Sequence, residues 1–200
     1  MRERRRAATS SLKGIAMSQP PVSIRLGDTA PAFTLPDVVR GEPVAFGGAE
    51  PLAPCTCVVF MCNHCPYVHF LLAHFVALSH DYSARGVRFL AISANDVASH
   101  PQDAPHHMQT LSQKMNFGFP YLYDASQAVA KAYGAACTPE FFVIDAAGAL
   151  AYHGRYGAAR PGVDLPGGED LCAALDAVLD GRAVDVTQYP SIGCSIKWKA

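Results

Sequence analysis

Apolar positions fall into two patterns along the chain: unbroken runs, and stripes at helical spacing. Cys57–Met61 (CVVFM) is an unbroken, β-rich run, as expected of a strand buried on both faces. Over Pro66–Tyr82 the residues Val68, Leu71, Leu72, Phe75, Val76 and Leu78 recur at helical spacing, and Arg85-Gly86 closes that helix. Val87–Ser93 (VRFLAIS) is a second buried strand. Strand, helix, strand in this order predicts a βαβ unit with parallel strands and a right-handed crossover. Before it, Pro31–Asp37 and Glu42–Phe46 read as a short extended segment. After it, Asn95–Pro105 is rich in Pro, Asp and His and reads as a loop leading into a helix over Pro105–Met115. A short strand over Pro120–Tyr123 and a helix over Gln127–Tyr133, ended by Gly134, follow. Glu140–Asp145 (EFFVID) and Ala149–Tyr156 flank an Ala-Ala-Gly turn and read as a hairpin. Glu169–Leu179 is an amphipathic helix with Leu171, Leu175, Val178 and Leu179 on one face. Arg182–Ala200 has no periodicity but holds Ile192, Cys194, Ile196 and Trp198. The pattern is that of one α/β domain without internal repeats.

The ends and the composition narrow the class. Arg2, Arg4, Arg5 and Arg6 are not followed by an apolar run, so a cleaved secretory signal does not fit and a cytoplasmic setting is expected. Residues 1–21 read as a disordered, solvated tail, with Met17 as an alternative start, and residues 22–200 as the folded unit. Half of the 200 residues are apolar and 16% are charged, against roughly 25% in an average soluble protein. Such a chain has enough apolar surface to offset its ordering entropy, which excludes disorder throughout. A formal net charge of −1 argues against nucleic-acid binding, and no apolar run approaches the ~18 residues of a membrane span. Seven cysteines cannot all pair within one chain, so a secreted disulfide scaffold does not fit. Some of these thiols are expected to carry chemistry.

Cys62-Asn63-His64-Cys65-Pro66 stands at the junction of the first buried strand and its helix. Two cysteines one turn apart at a helix start have the spacing of dithiol–disulfide exchange. Cys62 lies near unsatisfied N–H groups and the positive end of the helix dipole, which favours its thiolate. Cys65 is within range to resolve a mixed disulfide. His64, if protonated near the sulfur, would stabilise thiolate further and make the disulfide more oxidising. The same C-x-x-C is half of a zinc site, but no second Cys or His pair of convincing spacing accompanies it. Strand alternation puts Cys55 and Cys57 together on one face, away from the helix start.

Thr138-Pro139 lies directly before the apolar run Glu140–Asp145, and here the sequence resembles the thioredoxin superfamily. The resemblance implies a cis bond before Pro139, facing the C-x-x-C. It also implies that the Thr138 backbone lies beside the sulfurs, available to pair with a bound polypeptide strand. The acid that many thioredoxins carry six positions before the first cysteine is absent, and Thr56 stands there. Gly27–Pro36 looks like the opening of the alkyl hydroperoxide reductase/thiol-specific antioxidant branch. Phe60–Val68, Ala91–Asp96 and Pro190–Lys199 resemble a bacterial redoxin group within it. The likeness spans Gly27 to Lys199 and implies an α/β, thioredoxin-like fold. That fold is a central mixed β-sheet flanked by helices, with an N-terminal extension, an inserted loop–helix and a packed C-terminal tail. A typical peroxiredoxin has Thr three residues before its peroxidatic cysteine and a Pro further upstream; Val59 and Cys55 stand there. The hydroxyl that would orient a peroxide is thus lacking.

The expected function is thiol–disulfide exchange: Cys62 attacks, Cys65 resolves, His64 tunes the potential, and Thr138 and Pro139 shape the substrate face. Cys194 and Cys137 are candidate additional redox thiols, whereas Cys55, Cys57 and Cys172 read as core. His69, His74 and His80 read as exposed helix residues, and Tyr67 and Phe70 as packing. Expected partners are protein or low-molecular-weight thiols and disulfides, with a separate electron donor or acceptor; no cofactor and no metal are assigned. Two alternatives stay open. One is a thiol peroxidase with Cys62 peroxidatic and Cys65 or Cys194 resolving. The other is a metal-binding or chaperone module using Cys62, Cys65 and a histidine such as His69, His106 or His107.

Overall fold

The computed structural model describes residues 24–48, 52–185 and 187–200. The expectations for residues 1–21 and for a fold beginning at Val22 lie outside the described residues. β1 (Phe33–Pro36) and β2 (Pro43–Phe46) form an antiparallel ribbon. β3 (Cys55–Phe60), α1 (Pro66–Ala84) and β4 (Val87–Ser93) are the predicted βαβ unit, with β3 and β4 parallel. A short 3-10 turn, Pro101–Asp103, lies inside the expected loop and leads into α2 (Pro105–Met115). Then come β5 (Tyr121–Tyr123), α3 (Ala128–Tyr133) and the two-residue β6 (Cys137–Thr138). β7 (Glu140–Asp145), β8 (Leu150–Gly154), α4 (Glu169–Leu179) and β9 (Cys194–Ser195) complete the order.

The main sheet has the order β5-β4-β3-β7-β8. β4 runs parallel to both β3 and β5, and β7 runs antiparallel to both β3 and β8. It is the mixed sheet expected, with β3 at its centre and therefore buried on both faces. Alternation divides β3 between two cores. Cys55, Cys57 and Val59 face the side covered by α1 and α4, with Phe75, Phe89, Phe141 and Leu171. Val58 and Phe60 face the other side, with Phe33, Phe46, Leu90, Tyr133 and Phe142. Phe75, midway along α1, meets the rings of Phe89, Phe119, Phe141 and Tyr156, which fixes the helix over the sheet. Pro66 opens α1, where a residue without an N–H and with fixed φ is favoured.

Three local expectations change. β3 begins at Cys55 rather than Cys57. Gln127 is not helical: it sits at φ 62 ahead of α3, and its buried side chain donates to the carbonyls of Ala94 and Lys197. β8 spans Leu150–Gly154 instead of Ala149–Tyr156, because Asp145 Oδ1 accepts the N–H groups of Ala147 and Ala149 and holds the latter in the turn. Of the tail's apolar residues Ile196 is buried while Ile192 and Trp198 are exposed, and the tail is held as a strand, β9, paired with β6. Among the described residues no helix is long and apolar enough to cross a membrane.

Candidate active site

β3 ends beside Ile92, whose carbonyl accepts the Met61 N–H, and the chain turns through Cys62-Asn63-His64 into α1. Cys65 is the N-cap, with extended backbone angles (φ −72, ψ 120). The Thr138–Pro139 bond is cis and faces the motif, as the resemblance implies. Thr138 joins the two sulfurs: its Oγ1 lies 3.4 Å from Cys62 Sγ, and its carbonyl oxygen 3.1 Å from Cys65 Sγ. Both cysteines are buried, at 1% and 0% exposure, so the pair is closed over in this structure.

In the reduced site the two sulfurs act on each other's ionisation. Cys65 is drawn down by its neighbour Cys62, with help from Thr138 and the backbone N–H groups of Val68 and Cys194, against burial. Cys62 is pushed up by the hydrogen bond to Cys65, by burial and by the negative charge of Asp103, against the Thr138 side chain. The dipole argument placed the thiolate on Cys62. In the closed structure Cys65 Sγ donates to the Thr138 carbonyl, whereas the Thr138 hydroxyl and His64 Nδ1 face Cys62 Sγ.

That carboxylate is the main feature the sequence reading missed. Asp103 is fully buried and comes from the 3-10 turn beyond β4. Oδ1 accepts the backbone N–H groups of Asn63 (2.8 Å) and His64 (3.2 Å). Oδ2 lies 2.6 Å from His64 Nδ1 and accepts from Asn95 Nδ2 at 2.9 Å. Asp103 therefore fixes both the backbone of the motif and the ring between its cysteines. His64 Nδ1 is also 3.7 Å from Cys62 Sγ, so the ring that Asp103 holds is presented to that sulfur. Glu140 plays a similar part on the other side: Oε2 accepts from Ala136 and Cys137 N–H, while Oε1 bonds His153 Nε2, steadying the segment before Thr138.

The remaining candidates separate. Cys194 lies opposite Thr138 in the β6–β9 pairing, and its thiol and that of Cys65 act on each other's ionisation. Cys137, its neighbour on the strand, alternates to the other side of Thr138 and pairs with Ser195. Cys55 and Cys57 share one core face, as expected, and Cys172 is half-buried on α4. His69, His74 and His80 are exposed on α1, and His106 and His107 are exposed on α2. Tyr67 and Phe70 line a groove beside Pro139 with Arg155 and Tyr156. Among the described residues one grouping offers three metal-ligand types, Cys62, His64 and Asp103, with ligand atoms within 4.8 Å of one another. Both Asp103 oxygens are already committed to four protein donors, which is the bonding of an anchor rather than of a free ligand.

Burial pushes the other thiols up: Cys55 and Cys137 to about 12, Cys194 to about 11, and Cys57 and Cys172 in the same direction. Raised thiols keep their protons in the folded chain when the unfolded chain, near 9.0, has lost them, so stability falls as pH rises above that value. Denaturant unfolding of the reduced protein is therefore expected to give a midpoint that drops as pH rises above about 9. A midpoint that does not drop there would contradict these ionisations.

Comparison with known proteins converges on one family. The AhpC/TSA family model matches residues 26–153. The crystal structure of an uncharacterized conserved protein from Geobacillus kaustophilus is 44% identical, covers 88% of this chain and 93% of that one, and superposes with a TM-score of 0.83. That of a hypothetical protein from Sinorhizobium meliloti 1021 is also 44% identical, with coverages of 89% and 97% and a TM-score of 0.84. A thiol:disulfide interchange protein of the thioredoxin family from Chlorobium tepidum shares the fold, at 18% identity and a TM-score of 0.59 over 78% of this chain and 99% of that one. Among curated proteins none matches. The chain belongs to the AhpC/TSA family of redox enzymes and has a thioredoxin-like fold.

Proposed function

We propose that the protein is a thiol–disulfide oxidoreductase whose working pair is Cys62 and Cys65. The observation that carries this reading is the convergence of two buried sulfurs on Thr138 at the start of a helix. Cys62, having lost its proton to solvent, attacks one sulfur of a substrate disulfide as the thiolate. A bond forms between Cys62 and that sulfur, and the other substrate sulfur leaves with the electron pair, beside His64. Cys65 then loses its proton and attacks Cys62, releasing the second substrate thiolate. The substrate gains two electrons and the pair becomes a disulfide; the reverse uses the same contacts. A reducing setting such as the cytoplasm suits a chain with seven free thiols. Protein or low-molecular-weight thiols and disulfides are the partners, with a separate electron donor.

Catalytic amounts of the protein are expected to accelerate reduction of oxidised glutathione or insulin by dithiothreitol. A rate no higher than that of dithiothreitol alone contradicts the reading. A second reading, thiol peroxidase, has one observation in its favour: Thr138 Oγ1 supplies beside Cys62 the hydroxyl that Val59 lacks. Hydrogen peroxide consumption that disappears in Cys62→Ser supports it.

A further inference from the structure

The strand edge that a polypeptide substrate would use at Thr138 is occupied by the chain itself. β9 pairs antiparallel with β6, setting Cys194 opposite Thr138 and Ser195 opposite Cys137. Ile196 N–H continues the pairing by donating to Ala136 O at 3.0 Å. The approach is close enough to demand glycine: a Cβ on Gly193 would run into the Thr138 carbonyl oxygen, the atom that faces Cys65 Sγ.

The strand is fastened at both ends. Ser191 Oγ donates to Gly154 O at 2.7 Å, and Ile196 is buried in the second core. Lys197 N–H donates to Asn95 Oδ1 (2.8 Å), and its carbonyl accepts from Asp96 N–H (2.8 Å) and Gln127 Nε2 (2.9 Å). Asn95, itself buried, gives its other end to Asp103, so the tail and the motif are held by one side chain. The result is that Cys194 sits opposite Thr138, whose carbonyl oxygen lies 3.1 Å from Cys65 Sγ, and the two thiols act on each other's ionisation.

We propose that residues 192–196 are a resident strand in the substrate position and that Cys194 is a third redox thiol, exchanging with Cys65. This rests on the Cys62–Cys65 reading above. The Cys194 thiolate, having lost its proton to solvent, attacks Cys65 Sγ in the Cys62–Cys65 disulfide. The Cys65–Cys194 bond forms, the Cys62–Cys65 bond breaks, and the electron pair leaves on Cys62, which takes up a proton. No net oxidation occurs. The oxidised enzyme thus trades its Cys62–Cys65 disulfide for a Cys65–Cys194 disulfide, which returns Cys62 to the thiol state.

The test oxidises Cys62→Ser with diamide, which takes two electrons and two protons from a pair of thiols. Free thiols are then alkylated and the disulfides mapped by mass spectrometry, with wild type in parallel. Cys65–Cys194 is expected as the main disulfide of the folded variant, and its share is expected to fall in urea, where pairing is random. Adding Gly193→Val, with retention of the fold checked by circular dichroism, is expected to lower that share by about tenfold through loss of local concentration. A native share no higher than the share in urea overturns the inference, as does a folded Gly193→Val variant with an unchanged share. If wild type still forms Cys62–Cys65 in that case, only the role of Cys194 fails. If wild type forms no Cys62–Cys65 disulfide, the underlying reading fails and the exchange with it.

Discussion

Cys62→Ser is expected to remove disulfide turnover, by at least about a hundredfold, because a serine hydroxyl neither ionises near neutral pH nor forms a bond that sulfur can later exchange. Cys65→Ser is expected to behave differently. Its Cys62 can still attack a disulfide, and it has lost the neighbouring sulfur that most holds up its ionisation. The product then cannot be resolved, so a mixed disulfide accumulates on Cys62. Intact-mass measurement after incubation with oxidised glutathione separates the two: one added glutathione at Cys62 in Cys65→Ser, and none at position 62 in Cys62→Ser. Turnover that survives in Cys62→Ser would move the nucleophile elsewhere.

Asp103→Asn is the second large effect expected. The amide oxygen can still accept the N–H groups of Asn63 and His64, but the amide nitrogen replaces Oδ2 and meets two donors, His64 Nδ1 and Asn95 Nδ2. Each donor left without an acceptor in the interior costs about 1–3 kcal/mol. Turnover is expected to fall by about a hundredfold, the usual effect of displacing a reacting group by an ångström. The pH profile gives a readout that simple loosening would not move. The Asp103 charge helps hold the Cys62 proton, so its removal shifts the Cys62 ionisation, and with it the rising limb of alkylation rate against pH, to lower pH. An unshifted limb would show that Asp103 supports the motif without acting on Cys62.

The legible parts of this protein share a physical origin. β3, α1 and β4 are written as an unbroken apolar run, a helical stripe and a second run, because a central parallel pair under a helix leaves few solvent-facing positions. The motif is a local spacing, and Thr138-Pro139 is readable as the start of a buried strand. Asp103 left no such signal. It is a lone acid in a polar loop, brought under the motif by a turn between Pro101 and Pro105, and its value lies in donors contributed by other segments. Thr56 carries no carboxyl, and the buried acid beside the motif comes from the turn that follows β4. The β6–β9 pairing is also hidden, since two residues are too few for a period and the close approach at Gly193 shows only in the fold. Gln127 looked helical from its neighbours, yet its side chain is used to bind the tail from a left-handed position.

The account turns on whether Cys62 and Cys65 form a reversible disulfide. Equilibrating the wild-type protein across a series of reduced and oxidised glutathione ratios, then alkylating and mapping the cysteines, reads this directly. A two-electron transition that converts a Cys62–Cys65 disulfide to two alkylated thiols is the predicted result. Cys62 and Cys65 remaining alkylated and unpaired at every ratio would contradict it.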